Sequence, residues 1–96
     1  MNPCSYNNFF VHLSNPTKLK IIEALMHGPL SVTEIASKLE EEQSKISHNL
    51  TTMAHCNIVT TKQDGKMRIY SLNEKTVIPI LKLVKEHTKN CKMCTK

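Results

Sequence analysis

The 96-residue sequence predicts a mostly α-helical α+β domain in which one β-hairpin interrupts a run of helices, in the order α-α-α-α-β-β-α. Three observations predict it. Apolar residues recur at helical spacing through four segments between Tyr6 and His55. The period then falls from 3.6 to 2 across Ile58 to Leu72, around an Asp64-Gly65 pair. The helical period returns after Asn73. A chain of this length fits one domain, taken as residues 1–96.

Each element has its own signal. Tyr6 to Leu13 makes a short helix with Phe9, Phe10 and Leu13 apolar. Asn15-Pro16-Thr17 starts the second, because Asn is a good N-cap and Pro is tolerated at the first helical position. Its predicted face is Leu19, Ile22, Leu25 and Met26, and Gly28-Pro29 ends it. Ser31 opens a third helix, and Glu34 three residues on completes a capping box. Val32, Ile35, Ala36 and Leu39 form its buried face, and Glu40-Glu41-Glu42 is the turn that follows. A fourth helix runs from Gln43 to His55 on Ile46, Leu50 and Met53, and Asn57 stops it. Ile58 to Lys62 and Lys66 to Leu72 are the arms of a hairpin turning at Asp64-Gly65. The last helix carries Val77, Ile80, Leu81 and Val84, with Pro79 in its first turns or at a kink. Met26, Met53 and Met67 fall on apolar faces and are expected in the core.

Composition excludes several function classes. Two glycines, Gly28 and Gly65, cannot write a dinucleotide or P-loop phosphate motif. Aromatic residues are 4% with no Trp, which argues against a stacked-base platform or a carbohydrate groove. There is no apolar run of membrane-spanning length and no basic-then-apolar leader, so the expected location is cytoplasmic. No Ser/His/Asp set or paired carboxylates stand out, and the Cys-x-x-Cys near the chain end lacks the βαβ context of an oxidoreductase; an enzyme is not expected. Charge is uneven. Residues 1–44 hold three Lys and five Glu, whereas residues 45–96 hold ten Lys or Arg and three acids. A basic C-terminal half invites a polyanion, or is simply a soluble basic surface.

Two short helices across a tight turn, followed by a hairpin bearing Lys and Arg, compose a winged helix-turn-helix. A helix fits the DNA major groove, and its outward side chains reach base edges. Opposite its apolar side, the helix 43–55 carries Gln43, Ser44, Lys45, Ser47, His48, Thr51 and Thr52. These are short donors and acceptors with one cation, suited to bases and phosphates. Lys62, Lys66 and Arg68 add cations on the wing. A solvated amphipathic helix would show the same period; the adjoining basic hairpin favours DNA.

These segments resemble the ArsR-type winged-helix repressors. The resemblance rests on Leu30 to Leu39, on Gln43-Ser44-Lys45-Ile46-Ser47-His48-Asn49-Leu50, on Met53 to Val59, and on the wing Gly65-Lys66-Met67-Arg68-Ile69-Tyr70-Ser71-Leu72. It extends to Asn15-Pro16-Thr17-Lys18-Leu19-Lys20-Ile21-Ile22 and spans about residues 13–84. It implies a homodimeric DNA-binding transcriptional regulator whose first and last helices, about residues 5–13 and 75–94, form the dimer interface. The apolar residues Phe9, Phe10, Val77, Ile80, Leu81 and Val84 on those helices point the same way. Two departures stand out. Glu40-Glu41-Glu42 replaces the family's Gly-Leu-Ser turn and sets three carboxylates near a phosphate backbone. The family's thiol-containing metal box is also absent: Thr33-Glu34-Ile35-Ala36 has no Cys, and Asn73 to Leu83 has no His.

A sensor, if present, therefore lies elsewhere, and His87-x-x-x-Cys91-x-x-Cys94 is the candidate. On a continuing helix, spacings of four and three place these side chains on one face. Imidazole and thiolates suit Zn(II), Cd(II), Cu(I) or As(III), and no cofactor is needed for the fold. Lys85, Lys89 and Lys92 would favour the thiolates. In a dimer whose terminal helices pack together, Cys4 is the natural fourth ligand. The alternatives are a thiol-oxidation switch and a frayed tail without chemistry. Cys56 reads as a packing residue; His12, His27 and His55 read as isolated. The rival functions are a winged-helix protein–protein assembly module and a constitutive DNA-binding regulator with no sensor.

Overall fold

The structure, a computed structural model, describes residues 5–92. Its order is α1 (Tyr6–Ser14), α2 (Pro16–Leu25), β1 (Leu30–Ser31), α3 (Val32–Leu39), α4 (Gln43–His55), β2 (Val59–Asp64), β3 (Met67–Leu72) and α5 (Val77–Asn90). The winged helix-turn-helix is present with one strand more than the sequence predicts. The sheet runs β1-β3-β2 and is antiparallel, with Leu30 opposite Tyr70 and Ser31 opposite Ile69. A strand of two residues is too short for an alternating pattern, so periodicity does not reveal it.

Caps set the helix starts. Ser5 Oγ accepts from the Asn8 N–H and Asn15 Oδ1 from the Lys18 N–H. At α3 the predicted capping box is complete: the Glu34 N–H donates to Ser31 Oγ, and the Ser31 N–H donates to Glu34 Oε1. Those bonds to the carboxylate hold the Glu34 pKa below its ordinary value. Pro79 lies in the first turn of α5, where its missing N–H costs nothing.

Both helices of the helix-turn-helix end in the same backbone device. After α3, the Glu40 N–H reaches the Ser37 carbonyl and the Glu41 N–H reaches the Ala36 carbonyl. After α4, the Asn57 N–H reaches Ala54 and the Ile58 N–H reaches Met53. These are Schellman pairs, and each needs a left-handed residue: Glu40 at φ 55° and Asn57 at φ 58°. Asn tolerates that conformation. Glu carries a Cβ penalty on the order of 1 kcal/mol that Gly would not. The third helix thus closes as tightly on Glu40 as it would on glycine, at some cost in stability.

One core holds α2 through β3 and the start of α5 together. Ile21, Ile22, Ile35, Ile46, Leu50, Met53 and Ile58 are fully buried, joined by Val59, Tyr70, Leu72 and Val77. Each such large side chain contributes roughly 1.5–3 kcal/mol when taken out of water. The buried face of α2 is rotated from the predicted one: Ile21 is inside and Leu19 is exposed. Both isoleucines of the Ile21-Ile22 pair are buried because α2 packs against α3 and α4 from two sides, whereas a single stripe serves a helix covered on one side. Met67 is also a correction. It stands at the hairpin tip, beyond the core, and is half exposed.

Candidate nucleic-acid interface

The hairpin turns one residue later than predicted. Asp64 pairs with Met67, so Gly65 and Lys66 are the turn and Asp64 belongs to β2. Gly65 takes φ +63° at the first turn position, the arrangement glycine-first type II′ turns use. The shift moves Lys66 from a strand into the turn. Gln63 lies opposite Arg68, and Lys62 opposite Ile69. Successive strand residues point to opposite faces, so Arg68 shares a face with Gln63, and Lys62 takes the other face. Lys66 sits in the turn. The three wing cations, all exposed, therefore diverge from the tip and do not form one flat patch.

On α4 the division of faces is sharp. Ile46, Leu50 and Met53 have no exposed surface. Gln43, Ser44, Lys45, His48 and Thr51 are exposed, and Ser47 and Thr52 are half-buried. Three hydrogen bonds to helix carbonyls orient polar groups here. The hydroxyls of Thr51 and Thr52 donate to the carbonyls of Ser47 and Asn49, and the Asn49 amide donates to that of Lys45. With its proton so engaged, the Thr51 hydroxyl offers outward only lone pairs and a methyl. Lys45 does not stand alone. Its Nζ meets the Glu41 carboxylate at 3.2 Å, an exposed i, i+4 pair that shares its charge. The start of α4 has no side-chain cap, since Glu42 makes no such bond. Its first backbone N–H groups are a feature the sequence reading did not single out, although the absence of Ser, Thr, Asp or Asn before Gln43 signals it.

The C-terminal thiol constellation is only partly within the described residues. His87 is exposed in the last turn of α5. The helix does not continue to Cys94 as the spacing argument requires: it ends at Asn90, and Cys91 is extended at φ −93°, ψ 114°. His87 and Cys91 therefore do not share a helical face by periodicity. Cys94 and Cys4 lie outside the described residues. Among the described residues no three His, Cys, Asp or Glu side chains converge to hold a metal.

His12 is not isolated. Its Nε2 lies 3.3 Å from Cys56 Sγ, joining α1 to the residue that ends α4 across 44 positions of sequence. Cys56 packs against the core as expected, and it does so with this polar neighbour. Burial, with the nearby Lys18 ammonium, pushes the His12 pKa down. His27 and His55 are exposed.

Comparison with known proteins places these features. Residues 15–61 match the model of the family described as "Bacterial regulatory protein, arsR family". The regulator NmtR of Mycobacterium tuberculosis is 35% identical over 69 residues, covering 72% of this chain and 58% of that protein; this chain thus spans little more than half of its length. The cadmium resistance transcriptional regulatory protein CadC of Listeria innocua is 30% identical over 80 residues, covering 82% of this chain and 67% of its own. Among solved structures, Rv0081 of M. tuberculosis superposes with a TM-score of 0.80 at 26% identity, over 88% of this chain and 85% of that one. The relatives that match are transcriptional regulators, not enzymes.

Proposed function

The chain belongs to the ArsR family of bacterial regulatory proteins, and from that premise we propose that it is a homodimeric repressor that reads operator DNA with α4 and the hairpin. The observation that carries this reading is the two-sidedness of α4. One side is locked into the core, so the helix cannot roll, and the other presents Gln43, Ser44, Lys45, Ser47, His48, Thr51 and Thr52 outward. Ser44, Ser47 and His48 reach toward base edges, and Lys45 toward phosphate. The hairpin tip enters the adjoining minor groove with Lys62 and Arg68 on opposite walls and Lys66 at its apex. The Glu41–Lys45 pair tempers the phosphate contact. The assembly-module reading is weaker, since a protein partner has no need of a polar helix face beside a basic hairpin.

The test is a salt-dependent gel shift on the DNA upstream of its own gene. The logarithm of affinity should fall linearly with the logarithm of salt concentration. His48→Ala should cost about 1–3 kcal/mol on the preferred site alone, while Lys66→Ala should weaken all sequences alike and lower the salt slope by about 1. Binding that ignores salt, or His48→Ala that leaves specific binding untouched, contradicts the assignment.

The dimer is the second part of the proposal. Tyr6, Phe10 and Val11 on α1, with Leu83 and Val84 on α5, are exposed, and an apolar cleft of about 330 Å³ opens between Tyr6, Phe9, Phe10 and Ile80. A two-fold partner would cover both helices, and the operator half-sites would then lie about one helical turn apart. The third part is the inducer. His87, Cys91 and Cys94, with Cys4 from either subunit, supply imidazole and thiolate donors suited to Zn(II), Cd(II) or As(III), and a relative is named for cadmium resistance. Oxidation of Cys91 with Cys94 is the competing switch. A Cys91→Ser, Cys94→Ser variant should no longer release DNA with these metals or with oxidant; if it responds as the parent does, the thiols are not the sensor.

A further inference from the structure

A second thiol site lies at the opposite end of the recognition helix from the turn. Cys56 Sγ and His12 Nε2 are within hydrogen-bond distance of sulfur, and a pocket of about 290 Å³ opens beside them, lined by Asn8, Val11, His12, Thr52, His55 and Cys56. A thiol is a weak nucleophile until a base takes its proton, and a base at this distance is the arrangement that activates one. The other ring nitrogen of His12, Nδ1, is buried without a hydrogen-bond partner. No carboxylate or carbonyl therefore orients the ring, and Nε2 accepts from the Cys56 thiol in the tautomer that carries its proton on Nδ1. Burial and Lys18 lower the His12 pKa, so the ring starts neutral and able to accept a proton, as a weaker base than a free imidazole.

We propose that Cys56, activated by His12, is a modification site for small soft electrophiles of the α,β-unsaturated carbonyl class. The step balances without an oxidant. The Cys56 proton passes to His12 Nε2, and Sγ bonds to the β-carbon of the alkene. The alkene π pair moves toward the carbonyl as an enolate, and His12 returns the proton to the α-carbon. The net change is addition of S–H across C=C with nothing leaving. Val11 gives the pocket an apolar wall for the hydrocarbon part. The adduct would lie between α1 and the last turn of α4, in a position to disturb both, and the chemistry itself does not depend on the DNA-binding reading.

The test uses a chain with Cys4, Cys91 and Cys94 changed to Ser, so that Cys56 is the one thiol, and N-ethylmaleimide as the probe, followed by intact mass. Folded protein should react about tenfold faster than the same chain unfolded in urea, and His12→Gln should slow the folded reaction by about tenfold. A spectator thiol gives the opposite signs: folding protects it, and trimming its neighbour uncovers it. Slower reaction on folding, or an unchanged or faster rate in His12→Gln, overturns the proposal. The folded-against-unfolded comparison needs no His12 variant and decides alone if His12→Gln does not fold.

Discussion

The middle of the chain and its two ends solve the burial problem differently. From α2 through β3, every helix locks at least two side chains into a shared core, and the strands close over it. In α1 no residue is buried, and α5 buries only Val77 and Leu81 near its start. Yet the ends are not polar. Five of the seven large apolar side chains left exposed in the described residues belong to α1 and α5. The middle is finished as a monomer, whereas the ends carry apolar surface that the monomer does not use. In the proposed dimer, that contrast separates stability, carried by the middle, from assembly, carried by the ends.

The largest effect should come from breaking the middle. Leu50 is fully buried, and Leu50→Ala should cost about 2–5 kcal/mol in urea unfolding. Leu83 is 70% exposed, and Leu83→Ala should change monomer stability by less than about 0.5 kcal/mol. Equal costs would erase the distinction. Next in size is the charge test of the ends. Leu83→Asp should weaken dimerisation roughly 30-fold or more, as removal of an interface hot spot does, and leave the helical circular dichroism intact. Sedimentation across a concentration series measures it. A dimer of unchanged affinity would place the interface elsewhere.

A smaller effect sharpens the account of the middle. Glu40→Gly should stabilise the domain by about 1 kcal/mol, because the left-handed Schellman position no longer carries a Cβ. Asn57→Gly should gain less, since Asn already tolerates that conformation. Smallest is the pH dependence at the junction of the two regions. The His12 pKa is lowered in the folded state, so the unfolded chain binds the proton more readily. Stability should therefore be full above the ordinary histidine range and decline as pH falls through about 6.5. His12→Gln should flatten that decline in a urea-unfolding series.

Much of this organisation was legible in the sequence, and the misses have physical causes. Ser31 with Glu34, Asn15 with Pro16, and the Ile46, Leu50, Met53 stripe set helices α2 to α4, because caps and periodicity are local signals. The turn at Gly65-Lys66 was misplaced by one residue because Asp64-Gly65 and Gly65-Lys66 are both acceptable turn pairs, and strand register chooses between them. β1 was invisible because its pairing partner lies some forty residues away. The same reason hid His12 beside Cys56: each looks isolated along the chain, and only the packing of α1 on the end of α4 brings them together. The DNA-facing residues of α4 were legible as a polar face. The place of Lys66 in the turn was not, since it follows from the corrected register, whereas Lys62 and Arg68 diverge in either register.

The measurement that tests the division most directly is the stoichiometry and affinity of the chain on duplex DNA carrying its upstream site, by sedimentation of the complex. If the middle reads DNA and the ends pair the readers, two chains should bind each site in one cooperative step, and Leu83→Asp should bind as single chains with weakened affinity. One chain per site in the parent protein, or Leu83→Asp binding as tightly as the parent, would contradict it.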